Sequence, residues 1–207
     1  MSADVESRLY RAESWLKRAR DSSDHLDGQF IFYWIALNAL YGQRGSEAGP
    51  PHDRDDLHAF LGRLAACGQS AAVSLMETLA HLKPDAALLL ESEFLYEDYW
   101  ITGYTDSLAA KIDRATRRLR SWPDRELSRD LIDLFDRLAI LRNQIVHGSS
   151  KDGSGANRAS VEPAVRILTQ MVPVSCSVLR DHMDRDWGPL PFPAKGRVDH
   201  PEDLRTQ

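Results

Sequence analysis

Residues 30–41 read FIFYWIALNALY, apolar or aromatic at every position except Asn38. The fold turns on how this stretch is read. As a strand it would bring in a sheet, and its aromatics and isoleucines suit one. Twelve residues is long for a strand, however, and the core Ala36-Leu37-Asn38-Ala39-Leu40 favours helix. A helix that is apolar all round is buried on most sides, or gives a second face to a partner. In a chain of 207 residues a self-association face is therefore expected here.

The flanking sequence is helical in pattern too. Residues 4–22 place Leu9, Ala12, Trp15, Leu16 and Ala19 at helical spacing, and Asp21-Ser22-Ser23-Asp24 can stop that helix and cap the next. The run GQRGSEAGPP (42–51) is a loop. Residues 53–82 read as two short helices broken at Cys67-Gly68, and Pro84 opens another helical piece. Residues 96–104 are aromatic and of uncertain type. An amphipathic helix spans Asp106 to Trp122, followed by one from about Glu126 to His147. GSSKDGSGAN (148–157) is a loop in composition, and Ser160 then caps a last helix. Pro163 fits the first turn of that helix, and Pro173 marks a kink or break. The expectation is an all-α, single-domain antiparallel bundle packed on the pair 30–41 and 131–146. The domain covers 1–186, with 53–105 as an inserted helical region and 187–207 as an irregular tail.

Composition narrows the function classes. The chain is 43% hydrophobic and 28% charged, with net charge -5 and pI near 5.8. This argues against broad non-specific duplex binding and leaves room for a local basic site that takes a single strand. The N-terminus has no signal-peptide pattern, and no apolar run approaches a membrane span. Cys67 and Cys176 are isolated, which fits a reducing, cytoplasmic setting. His25, His52, His58, His81, His182 and His200 have no metal spacing and read as surface or loop residues. No cofactor or metal is expected.

Chemistry concentrates in DRLAILRNQIVHG (136–148). Leu131, Leu134, Phe135, Leu138 and Ile145 form one apolar stripe, with Arg142 in its middle. A guanidinium stays charged, so it must find a carboxylate, reach an edge, or line a cavity where an anion suits its planar fork. Asn143 and His147, four apart, share a different face. A helical wheel alone does not bring Arg142 and His147 together. Gly148 allows the helix to stop at His147 and free that side chain from regular geometry.

The order Arg142-Asn143-Gln144-Ile145-Val146-His147 at a helix C-terminus resembles the signature of the HEPN superfamily. The segment FIFYWIALNALYG (30–42) is similar to the aromatic second helix of its Apea-like bacterial branches. The resemblance rests on these two helices. It implies a helical bundle that often dimerises across a shared cleft and, in catalytic members, a metal-independent ribonuclease of toxin–antitoxin or antiphage-defence systems. His147 would then be general acid/base, Arg142 would hold the scissile phosphate, and Asn143 would orient one of them. The implied partners are an RNA substrate, a second copy of the chain, and an antitoxin or defence protein. Toxins paired with a minimal nucleotidyltransferase often carry a tyrosine two residues after the histidine, where this chain has Ser149.

Two other readings stand beside this one. In the first, the chain is a non-catalytic module of the same kind, binding RNA, nucleotide or a partner protein. In the second, it is an unrelated helical scaffold, with Arg142 paired to an acid and His147 a helix-end cation. The set Lys111, Arg114, Arg117, Arg118 and Arg120 could follow an RNA backbone or simply be a solvated face. Lys151 is near enough to the motif to touch a phosphate.

Overall fold

Helical periodicity dominates every segment of the computed structural model, which describes residues 2–44, 53–122, 126–148 and 155–192. Among these residues there is no strand. The helices are α1 (Ser2–Arg20), α2 (Leu26–Tyr41), α3 (Asp53–Ala65), α4 (Gln69–Leu90), α5 (Glu97–Thr102), α6 (Asp106–Arg120), α7 (Leu127–Val146) and α8 (Gly155–Asp181). A 3-10 turn, Glu93–Leu95, precedes α5. The fold is an all-α bundle.

α2 is a helix, as its alanine and leucine content predicts, and His25 caps it by accepting from Gly28 N at 2.9 Å. Its all-round apolar surface is used mainly inside the chain. α1 covers one side and α8 another, so that Phe30, Tyr33, Trp34, Leu37, Leu40 and Tyr41 are buried. Phe32, on a further face, stacks on Trp15 of α1 at 5.8 Å between centroids. Burial of one such side chain stabilises by about 1.5–3 kcal/mol. The composition of α2 therefore follows from its place between neighbours and does not require a second copy.

The bundle is not centred on α2 and α7, which touch only lightly. Its most extensive contacts join α1 to α2, α4 to α8 and α2 to α8. α3 packs on α7 and buries Leu57, Phe60, Leu61 and Leu64, and α4 contributes Leu75, Leu79, Leu82 and Leu89 to the same core. The region read from sequence as an insertion thus supplies two core helices.

Three expectations about prolines need correction. Pro84 does not open a new helix; α4 runs through it. Both Pro84 and Ala80, whose carbonyl loses its donor, are exposed, so water can satisfy the freed group. Of the kink or break expected at Pro173 the break is absent, since α8 continues through it, and Thr169, four residues before it, is likewise exposed. α8 starts at Gly155, so Ser160 is inside the helix and Pro163 is beyond its first turn.

The described part of the tail, residues 187–192, is irregular but packed, with Trp187 and Leu190 buried. Arg8 of α1 is fully buried and holds this segment through backbone carbonyls. It donates to the carbonyls of Leu40 (2.9 Å), Gly42 (2.7 Å), Gly188 (3.1 Å) and Pro189 (3.0 Å). Among the described residues no helix is long and apolar enough to cross a membrane.

Candidate active site

α7 carries Leu131, Leu134, Phe135, Leu138 and Leu141 into the core, and the same periodicity brings Arg142 to the core's edge. Its side chain is 23% exposed and ion-paired with Asp53, the first residue of α3. The guanidinium also lies over the Trp34 ring of α2, 5.1 Å from its centroid. Its Nε is buried without an acceptor. Asp53 in turn accepts from Tyr41 Oη at 2.6 Å. Burial, reinforced by the Asp53 carboxylate, pushes the Tyr41 phenol up, so it remains a donor. Arg142 of α7 is thus held between the Trp34 ring of α2 and the Asp53 carboxylate, which Tyr41 of α2 also holds.

The helix ends as its last residues dictate. His147 is the C-cap, donating its backbone N–H to Asn143 O at 3.0 Å, and Gly148 follows with φ +69°. That backbone conformation costs a residue with a Cβ roughly 1 kcal/mol or more, which is why glycine fits. Asn143 and His147 are exposed.

Arg142, Asn143 and His147 nevertheless line a single cleft of about 670 Å³. Its walls come from α3, α5 and α7, including Arg54, Glu97, Trp100 and Gln144. The angular separation of Arg142 and His147 on the helical wheel therefore does not put them at different sites. The cleft is wide enough to take in both faces of the helix end, and His147 lies beyond the last regular turn.

α5 is positioned by one acceptor. The Phe94 carbonyl takes a hydrogen bond from Gln144 Nε2 at 2.6 Å and another from Trp100 Nε1 at 2.9 Å. Gln144 thus ties α7 to the segment that presents the Trp100 ring, 59% exposed, on the cleft wall. Across the cleft, Asp136 accepts from Arg54 Nη2 (2.8 Å) and from His58 Nε2 (2.7 Å). A carboxylate can only accept, so His58 carries its proton on Nε2 in this contact. His58 is not a free surface residue as expected; it is part-buried and braces the cleft wall.

Asp53, Arg54, His58, Trp100 and Asp136 were not singled out as site residues from sequence. Asp53 and Arg142 are separated by 89 positions, and no local pattern links them. Asn38 is half-buried, reaching Tyr41 Oη weakly at 3.5 Å, and lines a neighbouring groove. Ser149 and Lys151 lie outside the described residues.

Cys67 and Cys176 are buried, and burial pushes both thiols up, Cys176 to about 11. Neither is activated as a nucleophile. Among the described residues no three His, Cys, Asp or Glu side chains gather as a metal-binding group. The cleft offers the His147 imidazole, the Arg142 and Arg54 guanidiniums, the Asp53, Glu97 and Asp136 carboxylates, two amides and an indole face.

Comparison with known proteins finds no matching family model, no similar curated protein and no similar solved structure.

Proposed function

We propose that this protein is a metal-independent endoribonuclease of the HEPN type, acting in the cytoplasm within a toxin–antitoxin or antiphage-defence system. The observation that carries the reading is the opening of Arg142, Asn143 and His147 onto one cleft. His147 takes the proton of a ribose 2′-hydroxyl, and the 2′-oxygen attacks the adjacent phosphorus. The P–O5′ bond breaks, and the 5′-oxygen leaves with the proton that His147 returns to it. The products are a 2′,3′-cyclic phosphate and a 5′-hydroxyl. Arg142 binds the phosphate and stabilises the charge that develops on it, and Asn143 orients the phosphate or the imidazole.

The assembly proposed is a homodimer in which a second copy faces the cleft. Val146, beside His147, and Ile101, next to Trp100 on α5, are exposed apolar side chains available for that contact. An antitoxin or defence protein is the proposed regulatory partner.

A second reading draws support from the Arg142–Asp53 pair. A carboxylate already on the guanidinium competes with phosphate, and Arg142 paired to an acid is what the reading as an unrelated helical scaffold expects.

The deciding experiment is cleavage of varied single-stranded RNAs in EDTA by wild type, His147→Ala and Arg142→Ala. Wild type should generate cyclic-phosphate ends, and each variant should lose about 10²-fold or more. Equal cleavage by all three, or none by wild type, rejects the enzyme and leaves the binding module and the helical scaffold.

A further inference from the structure

Next to the cleft lies a second cavity of about 360 Å³, between α5, α6 and α7. The two share Arg54, Glu97 and Ile140, so they form successive parts of one groove. The second cavity is strongly cationic although the chain carries net charge -5. Its lining holds six basic side chains and three acidic ones.

Each acid already has a base. Lys111 pairs with Asp98, Arg118 with Asp133 at 3.5 Å, and Arg54 with Glu97 at 3.7 Å. Three arginines remain. Arg129 has a long pair with Glu126, at 4.0 Å, while Arg114 is exposed and has no ion pair among the described residues.

Arg137 is the least ordinary of the three. It is 9% exposed, lies 3.8 Å over the Tyr96 ring, and has no ion pair among the described residues. Its Nε and Nη1 are buried without an acceptor. Leaving one buried donor unmatched costs about 1–3 kcal/mol, and more when it is charged. Burial lowers the guanidinium's pKa from its ordinary value, and the neighbouring Asp133 and Asp136 do not compensate. Those two carboxylates already serve Arg118, Arg54 and His58. A stacked, desolvated arginine beside an open basic cavity is suited to an external anion.

We propose that this cavity, centred on Arg137 and Arg114, binds a backbone phosphate of the single-stranded RNA whose scissile bond occupies the adjacent cleft. The proposal rests on the RNA substrate of the preceding section and adds a second contact. The enzyme's substrate is then a strand that continues past Arg54, not a mononucleotide.

The test is fluorescence anisotropy with a labelled mixed-sequence RNA of about twelve nucleotides, in the full chain carrying His147→Ala to prevent turnover. Arg114→Ala should weaken binding roughly 3- to 10-fold and reduce the salt slope by about 1. Arg137→Met should weaken it at least as much. Arg117→Ala, which removes a residue paired to Asp113 at 2.7 Å outside the cavity, should change it less than about twofold. Melting curves check that Arg137→Met is folded, and Arg114→Ala remains decisive if it is not.

No RNA binding by the parent overturns the proposal, as do Arg114→Ala and Arg137→Met behaving like Arg117→Ala. It is also overturned if inorganic phosphate raises the melting temperature through Arg137 while RNA affinity ignores both variants. The ribonuclease reading fails separately, through loss of cleavage with this binding intact.

Discussion

Arg142 is held by a carboxylate, not left open to solvent, and that pair sets what the residue can do. Asp53 takes one Nη2 proton and is itself 45% exposed, so water screens the attraction and the pair is weak enough to yield. An incoming phosphate would compete with Asp53 for the same guanidinium. Asp53→Asn keeps an oxygen for Tyr41 and removes the competing charge. We expect it to tighten binding of single-stranded RNA about two- to fivefold in anisotropy titrations. Weaker binding would mean that Asp53 positions Arg142 for its ligand. At this scale the sequence was informative where the signal is local. Gly148 after His147 announces the end of α7, and the apolar stripe announces that Arg142 sits at a packed edge. The wheel separated Arg142 from His147 because it treats the helix as an isolated cylinder. It has no means of showing a cleft bounded by two other helices.

At the scale of elements, periodicity located nearly every helix. It misjudged breaks at proline because the pattern does not reveal which side of the helix faces water. Pro84 is tolerated on the exposed side of α4, where its cost is least. The joining of elements was invisible in the sequence. Arg8 looks like any charged residue of an amphipathic helix, yet it gathers carbonyls from the end of α2 and from residues 188–189. Arg8→Met keeps the bulk and leaves four buried or part-buried carbonyls short of a donor. We expect a loss of about 2–4 kcal/mol, or roughly 4–16 °C in melting temperature by calorimetry or circular dichroism. A shift under 2 °C would show that these carbonyls are well hydrated without it. Arg8→Lys should recover only part of the loss, since an ammonium cannot span both segments as the planar fork does.

For the whole molecule, the interior explains one chain and leaves its assembly open to measurement. α2, which in sequence looked like a self-association face, is largely covered by α1 and α8. The proposed dimer therefore uses the rim of the cleft. Light scattering after size exclusion should give twice the 23.4 kDa of the chain. Ile101→Asp together with Val146→Asp should return it to one copy that keeps its helical circular-dichroism spectrum, since both side chains are exposed. A wild-type mass of one chain would mean that the cleft works alone. The Arg8 clasp also dictates an order of events. Its acceptors at Gly188 and Pro189 lie 180 and 181 positions downstream. On the ribosome, α1 is complete long before residues 188–189 have been made. Until they emerge, the Arg8 Nη2 donor that serves them must stay hydrated. A nascent chain halted before residue 188 would then lack this clasp between α1, the end of α2 and residues 188–189, however well its helices had formed.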